Sequence, residues 1–484
     1  MRRLLIALLV ATACTAGQDP TVAGDERPAA TTATSPSASS STTTPAPTVS
    51  TSTTTTVAGL PATATCPAVP PRAGPAPDRP RYQLDLTVDL DANEVGGRLV
   101  VRFAPDLPTD RLVFRLWPNG PRLAGAGAHL DVDAVYLGST VPVATEQPDA
   151  TTLVVPLDRA LAAGESIEAT VPFTLTLPGP ANDRTSRRGD TVRLGTFHPM
   201  LAWEPGVGWA TDAATALFAE ATMAPVADWS VAIAAPAGLT VIAPGEHRDG
   251  RWHATALREF AVAVGRFRVA GGVAGAPHPV PVVVAVEVGL PEDQERYLDT
   301  VVRALTDFGA RFGPYPYDRF TLVLTPDLGG GIEYPSFVHQ GPGTGGRTTP
   351  HEVAHQWFYA LVGNSQGRDP WLDEGLATWA EARFLGNVAT IVATDIPAAG
   401  RGRAGEPMAF WDAGRGSAYY RSVYVQGAQA LAALGDPEQV DCALRHYVAR
   451  HAHRVATVAD FVEAVSDVFP DAAAVLERFG IASR

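Results

Sequence analysis

One short segment of this 484-residue chain, residues 351–355 with the sequence HEVAH, constrains the fold more than any other. Pro350 before it and Gly363 after it are typical of the first turn and the end of a helix. Residues four apart lie on one face of a helix, so the two imidazoles would point at a single position. Imidazole nitrogens are good zinc ligands, and Glu352 would lie beside the water of such a site as general base.

Two structural interpretations of the same residues remain open. Thr349 and Glu352 have the spacing of a capping box, which would give the glutamate a purely structural role. His351 and His355 could equally be a pair packed on one helix face. The helix itself is predicted over 350–362, with Thr349 as its N-cap residue.

A carboxylate further along the chain favours the metal site. Glu374, within the sequence WLDEG, follows His355 after eighteen intervening residues. That gap allows one helix to end and another to return antiparallel, so we predict Glu374 as the third ligand beside His351 and His355. Two imidazoles and one carboxylate predict one Zn²⁺ per chain. Thr378 and Glu381 would either support these ligands or lie on an exposed helix face.

HExxH, eighteen residues and a glutamate within WLxEG resemble the gluzincin metallopeptidases of the aminopeptidase N type, a group that includes leukotriene-hydrolase-like enzymes. The resemblance covers about residues 81–484. It implies a multidomain chain, with an N-terminal antiparallel β-sandwich or saddle domain followed by an α+β, thermolysin-like zinc peptidase domain. The function it implies is removal of N-terminal residues from peptides by zinc-activated water.

The family also carries Gly-x-Met-Glu-Asn upstream of HExxH, and residues 330–334, GGIEY, are similar to it. Isoleucine replaces the methionine here, and tyrosine replaces the asparagine. The resemblance implies that Gly330 and Gly331 line the substrate, which an exposed strand would bind by β-augmentation, and that Glu333 binds its free amine. A Gly-rich turn with a carboxylate at its rim is the alternative.

Downstream, the family has a tyrosine a few residues before a glycine that stabilises the oxyanion. Tyr424, three residues before Gly427, is similar to it, with Gln426 where lysine is common. Tyr419 and Tyr420 compete for this role, and a packed helix tyrosine is the alternative. The family's second amine-binding acid, expected in the β domain, has no clear match here; Glu204 is a candidate by position only.

The folded part of the chain has two regions with different sequence patterns, the first typical of strands and the second mainly of helices. Apolar and polar residues alternate over 82–90, the period of a half-buried strand, and similar short segments follow. We therefore predict a β domain over 81–276 and an α+β domain over 277–484. The second domain is predicted to contain strands at 282–288 and 320–324 and helices at 294–312, 350–362, 370–384, 423–434 and 458–469.

The N-terminus has the features of an export signal. Two arginines precede an apolar stretch over 4–13, which ends at Cys14. We predict a signal peptide over 1–13 and a lipoprotein lipidated at Cys14; an ordinary signal cut near Ala16 is the alternative. Residues 31–56 contain 19 Ser or Thr in 26 positions, which predicts a disordered tether over 14–80.

Charge and cysteine content exclude several classes of function. With 37 basic and 51 acidic residues the net charge is -14, which argues against nucleic-acid binding. All basic residues are arginine, so a lysine nucleophile is excluded. After the N-terminus no apolar run approaches a membrane span, and membrane contact is expected only through a lipid anchor. Cys66 and Cys442 could pair in an oxidising compartment.

Three rival functions share these residues. An endopeptidase or oligopeptidase is favoured if Glu333 is only a rim residue. A catalytically silent surface protein that binds peptides would keep the fold without the activity. Epoxide hydrolysis would use the same zinc site but needs a lipid channel. The sequence does not predict the side-chain preference, the physiological substrate or the oligomeric state.

Overall fold

The computed structural model describes residues 66–217 and 223–482. The predicted signal peptide over 1–13, its lipidation site Cys14 and the Ser/Thr-rich stretch lie outside the described residues. Within the part that the structure describes, no helix is long and apolar enough to cross a membrane.

Residues 66–73 lie against the second domain, and Arg79 and Pro80 contact Asp228 of the first domain, which corrects the tether predicted to extend to residue 80. Cys66 forms a disulfide with Cys442. The Ala73 N–H donates to the Ala449 carbonyl at 2.8 Å, and the Arg72 guanidinium donates to a backbone carbonyl. The composition of this segment alone supplies too little apolar surface for order, so the covalent bond and these hydrogen bonds provide what the sequence pattern lacks.

The first domain is built on a large, mostly antiparallel sheet, as predicted, together with two four-stranded sheets and one two-stranded sheet. The alternation over 82–90 is confirmed, because the first strand buries every second side chain. Its elements are β1 (Arg81–Asp89), β2 (Glu94–Phe103), β3 (Thr109–Arg115), α1 (Pro121–Gly125), β4 (His129–Val132), β5 (Val135–Leu137), β6 (Pro142–Val143), β7 (Glu146–Asp149), β8 (Thr152–Leu161), β9 (Ile167–Thr176), β10 (Ser186–Arg188), β11 (Thr191–Leu194), β12 (Met200–Leu201), β13 (Trp203–Glu204), β14 (Gly208–Trp209), β15 (Ala227–Ala234), β16 (Thr240–Ile242), β17 (Glu246–Arg248), β18 (Arg251–Leu257) and β19 (Val262–Gly265).

The large sheet has the strand order β17-β18-β15-β1-β2-β9-β5-β6, with β4 also paired to β9. One pair departs from the antiparallel prediction, because β1 and β15 run parallel. The smaller sheets have the orders β10-β11-β19-β16 and β12-β3-β8-β7.

The second domain combines a five-stranded sheet with helices. The sheet has the order β20-β21-β22-β24-β23, and β21, β22 and β24 run parallel. Its elements are β20 (Phe267–Gly275), β21 (Pro279–Glu287), α2 (Gln294–Phe312), β22 (Phe320–Leu324), β23 (Gly331–Ile332), β24 (Phe337–Gln340), α3 (Thr348–Ala354), α4 (Trp371–Leu385), α5 (Val388–Ala393), α6 (Met408–Asp412), α7 (Gly416–Tyr420), a π-helical turn (Arg421–Val425), α8 (Gln426–Ala432), α9 (Pro437–His451), α10 (Val458–Ser466) and α11 (Ala472–Glu477).

The predicted domain boundary at residue 276 is too late. Strand β20 pairs along its whole length with β21, from Phe267 opposite Glu287 to Gly275 opposite Pro279. A hairpin whose second strand lies in the peptidase sheet must carry its first strand into the same sheet. The second domain therefore begins near residue 266.

Helix α2 and strand β22 match the prediction residue for residue. The Asp293 side chain caps α2 by accepting the Glu295 N–H at 3.1 Å, and Gly313 ends it with a φ of 103°. All five residues of β22 are buried, as expected for a central parallel strand covered on both faces. These two elements position the loops that carry the site residues.

Helix α3 is shorter than predicted and begins differently. It ends at Ala354, and further along the N–H groups of residues 360–362 bond five residues back, as from Ala360 to the His355 carbonyl at 2.9 Å. Thr349 is not the N-cap residue; its hydroxyl hydrogen-bonds the Gln340 side chain at 3.2 Å. The capping box with Glu352 does not form, which removes the structural interpretation of that glutamate.

Candidate metal centre and active site

The three predicted metal ligands converge on one point. His351 and His355 extend from α3, and Glu374 extends from α4, which crosses it. The two histidine Nε2 atoms are 3.1 Å apart, and Glu374 Oε2 lies 3.1 Å from one and 3.4 Å from the other. The carboxylate completes a group of three ligand atoms, which favours a metal site over a packed pair of histidines.

These separations fit a zinc ion. Ligands at ~2.0–2.1 Å from a tetrahedral metal are about 3.3 Å from one another. All three atoms lie in buried or nearly buried side chains and within that spacing, so two imidazoles and a carboxylate can hold one zinc without rearrangement.

Each histidine ring is oriented by a hydrogen bond from its other nitrogen. His355 Nδ1 lies 3.0 Å from the Phe358 carbonyl, so this nitrogen carries the proton and Nε2 presents its lone pair. His351 Nδ1 lies 3.5 Å from Glu381 Oε2, and Arg347 donates to the other oxygen of that carboxylate at 2.5 Å. The supporting role predicted for Glu381 is thus consistent with the geometry.

Thr378, the other predicted support, has a different position. Its side chain is buried on α4, and among the described residues its hydroxyl has no hydrogen-bond partner. Its hydroxyl therefore makes no hydrogen bond to any of the three predicted ligands.

The first domain reaches the metal site through a strained residue. Tyr359 has a φ of 122°, and its carbonyl accepts from Arg258 Nε at 3.0 Å. Its hydroxyl donates to Glu259, so both ends of the residue are held by the segment after β18. A non-glycine residue in this region costs on the order of 1–3 kcal/mol. The contacts fix the backbone next to Phe358, whose carbonyl orients His355.

Glu352 lies against the strand that precedes the zinc helix. A Cβ on Gly331 would lie 2.3 Å from the Glu352 carboxyl carbon, so only glycine leaves the side chain room. Glu352 is buried, and its Oε2 has no hydrogen-bond partner among the described residues. An unpaired buried carboxylate oxygen is expected of a group that takes a proton from water in the cleft.

Glu333 is part of the site rather than a rim residue. Its side chain is 3% exposed, and one of its oxygens lies within 4.8 Å of ligand atoms of Glu352 and His355. Gln356 fixes this segment to the zinc helix by donating to the Tyr334 carbonyl at 3.2 Å. The alternative of a turn with an exposed carboxylate is therefore wrong. Gly330 has open space where a Cβ would stand.

Tyr424 lies beside the metal ligands, on the π-helical turn that precedes α8. Its hydroxyl donates to Glu374 Oε1 at 2.7 Å, and its ring stacks on His351 with centroids 5.7 Å apart. Single π-turns are frequent at functional sites because they displace one side chain from the helical register. Tyr420 is 43% exposed, whereas Tyr419 is buried in the core. Of the three tyrosines, Tyr424 is the one placed on a ligand.

Two glycines bring Tyr424 to Glu374. A Cβ on Gly375 would lie 3.1 Å from Gly427 Cα, and a Cβ on Gly427 would lie 2.9 Å from Gly375 Cα. Helices α4 and α8 therefore cross at backbone contact. Each glycine follows a site residue closely in sequence, which is the signal from which this contact could have been predicted.

Burial and mutual contact displace the pKa values of the site. Burial raises the pKa of Glu352 to about 8, against the opposing effect of the histidines. For His351, burial lowers the pKa, but hydrogen bonds to Glu374 and Glu381 outweigh it and raise the value to about 9. Burial would raise the pKa of Glu374, yet His355 and His351 hold it well below its usual range. Positive charge is thus favoured where the metal ligands meet.

Glu204, the candidate by position for a second amine-binding acid, is already paired with an arginine. It is buried in β13 and forms an ion pair with Arg368, which also approaches Asp212 at 3.6 Å. Two residues that the sequence analysis did not single out do enter the site. Gln366 and Asp373 are both fully buried and are linked to Glu333.

Comparisons with known proteins agree with this geometry. Residues 346–401 match the peptidase family M1 domain. Aminopeptidase B of Rattus norvegicus is 27% identical over 207 residues, covering 37% of this chain and 32% of the relative. Aminopeptidase O of Mus musculus is 31% identical over 107 residues, covering 19% of this chain and 13% of the relative. The chain thus spans about a third or less of the length of these curated relatives.

Solved structures extend the likeness to most of the chain. The crystal structure of an M1 zinc metallopeptidase from Deinococcus radiodurans has a TM-score of 0.61 at 21% identity, covering 84% of this chain and 93% of that one. A mutant of an M1 zinc metallopeptidase from the same organism, bound to a Tyr-ser-ala substrate, has a TM-score of 0.62 at 21% identity, covering 83% of this chain and 93% of that one. At this identity the similarity establishes the fold, in which a β-rich N-terminal region precedes a helical C-terminal part.

Proposed function

We propose that this chain is a member of the aminopeptidase N-like gluzincins, the M1 family of zinc metallopeptidases, and that it removes single N-terminal residues from peptides. The observation that carries the proposal is the position of Glu333. Its buried carboxylate lies beside both the general base Glu352 and the ligand His355, with oxygen and nitrogen atoms of the three side chains within 4.8 Å of one another. A carboxylate there suits the ammonium group of a substrate whose first peptide bond is to be cleaved.

The residues of the site divide the chemistry among them. When bound by His351, His355 and Glu374, zinc supplies an activated water and polarises the scissile carbonyl. Glu352 accepts the proton of the attacking water at its unpaired Oε2 and returns it to the leaving amine.

Substrate binding falls to the strand that precedes the zinc helix. Strand β23 pairs only with β24 among the described strands, so a peptide can add to its open edge, where Gly330 and Gly331 allow close approach. Tyr424 donates its hydroxyl proton toward the developing oxyanion. To do so it exchanges its hydrogen bond to Glu374 for one to the substrate.

The test is hydrolysis of a panel of aminoacyl p-nitroanilides and short peptides beside the same compounds N-acetylated, with Glu352→Gln as the inactive control. We expect release only from free amines, lost in the variant while zinc content is unchanged. Cleavage of acetylated peptides would identify an endopeptidase instead. No turnover of either kind, in protein that holds one zinc per chain, would identify a peptide-binding protein without catalysis.

We also propose that the protein acts outside the cytoplasm. The arginine-led apolar segment before Cys14 supports export, and the Cys66–Cys442 disulfide suits an oxidising compartment. In a bacterial expression host, wild-type protein is expected in the membrane fraction and Cys14→Ala protein in a soluble fraction. Retention of both in the cytoplasm, with Cys66 and Cys442 reduced, would contradict the proposal.

A further inference from the structure

A buried glutamine links the two ends of the active site. Gln366 lies in the segment between α3 and α4, and its side chain is fully buried. Its Nε2 donates to Glu333 Oε1 at 3.1 Å and to Asp373 Oδ2 at 2.9 Å. Glu333 comes from the strand on one side of the zinc helix, and Asp373 immediately precedes the ligand Glu374 on the other.

The chemistry of the two partners fixes the orientation of the amide. Both partners are carboxylates, which accept hydrogen bonds when ionised, so the NH₂ end of Gln366 must face them. One nitrogen has two protons and supplies one to each. The amide thereby joins two buried carboxyl groups through hydrogen bonds from a single nitrogen.

Asp373 has to be an aspartate for this arrangement. Its Oδ1 accepts the backbone N–H of Glu374 at 2.9 Å, while Oδ2 accepts from Gln366. Asparagine at this position would have a single acceptor oxygen and would turn its NH₂ group toward one of the two donors. The hydrogen bonds therefore run without interruption from the backbone of a metal ligand to the carboxylate of Glu333.

We propose that Gln366, held by Asp373, is a positioning residue that fixes the Glu333 carboxylate for recognition of the substrate's α-ammonium group. The inference rests on the proposed aminopeptidase function and names the device that sets its specificity. Gln366 occupies Oε1 of Glu333, and this leaves Oε2 for the ammonium. Without the amide, Glu333 loses the hydrogen bond that fixes its rotamer, and Asp373 loses the donor to its Oδ2. Selectivity for a free amine then declines although zinc and general base remain.

The variant Gln366→Met keeps the length and apolar volume of the side chain and removes both donors. The measurement compares the aminoacyl p-nitroanilide that wild-type protein hydrolyses fastest with its N-acetyl form. We expect KM for the free amine to rise about tenfold with kcat little changed, since a hydrogen bond to a charged group is removed. The preference for free over acetylated substrate should fall by a similar factor, and zinc content should remain one per chain.

A double-mutant cycle separates positioning from a general loss of structure. If Gln366 acts through Glu333, then Gln366→Met should have little further effect in a Glu333→Gln background. Effects that multiply in the double variant, or a single variant that retains wild-type selectivity, would overturn the inference.

Should Gln366→Met fail to fold, Asp373→Asn is the second variant, and the same rise in KM is expected from it. Unchanged KM and selectivity in Asp373→Asn would overturn the inference as well. If wild-type protein itself does not distinguish the two substrates, the proposed aminopeptidase function fails and the inference fails with it.

Discussion

Gly331 sets the position of Glu352, the proposed general base, so Gly331→Ala should inactivate the enzyme without unfolding it. The added Cβ would lie 2.3 Å from the Glu352 carboxyl carbon and 2.4 Å from its Cγ. Ordinary contact between such atoms begins near 3.4 Å. Glu352 must therefore move by about 1 Å, and a misplacement of that size costs about 10²-fold in rate. We expect kcat to fall by about two orders of magnitude.

The assay is steady-state hydrolysis of an aminoacyl p-nitroanilide, with zinc content and thermal unfolding measured on the same samples. Gly346→Ala is the matched control, because a Cβ there meets nothing within 4 Å and its φ is not positive. The control should retain wild-type kcat. Gly331→Ala should bind zinc and melt within a few degrees of wild type. Wild-type kcat in Gly331→Ala would refute the reasoning that Glu352 acts from this position.

Three further outcomes are expected. Tyr424→Phe should lower kcat about 10²–10³-fold with KM nearly unchanged, and a rise in KM alone would remove the tyrosine from the oxyanion role. Chelation should lower the melting temperature and added zinc should restore it; at 1,000 times Kd the metal contributes about 4 kcal/mol, and Glu374→Ala should abolish this response. Burial lowers the pKa of His198 to about 4, so the unfolded state binds more protons between pH 6.5 and 4. The free energy of unfolding should fall by about 3 kcal/mol on acidification across that window, and less in His198→Phe; equal urea midpoint shifts in the two proteins would contradict this assignment.

Local sequence patterns predicted the elements that carry the site. Helix α2 and strand β22 have the predicted bounds because their periodicity and end signals are contained within each segment. Predictions failed where a partner distant in sequence decided the outcome. Strand β20 belongs to the second domain because its hairpin partner β21 pairs in parallel with β22, which lies more than thirty residues further along the chain. The segment after Cys66 is held to the second domain because Cys66 bonds to Cys442, which lies 376 positions away.

The three metal ligands could also be predicted from the sequence. Helix periodicity placed His351 and His355 on one face, and the fixed gap to Glu374 predicted the third ligand. Glu333 and Tyr424 came from the family resemblance, and the structure places both beside those ligands. What the resemblance lacked was any indication of Gln366 and Asp373, since the gap between the motifs carries no periodic pattern.

The sequence by itself therefore determined which side chains can bind zinc and move protons, because those roles depend on residue type and on spacing within one or two helices. The tertiary structure alone decided how those side chains are held. The hydrogen bonds from Gln366 to Glu333, and the contact of Arg258 with Tyr359 beside the zinc helix, join segments that are far apart in the chain. Such contacts exist only after the sheets and helices have packed, because a hydrogen bond between distant segments requires both to be fixed in position.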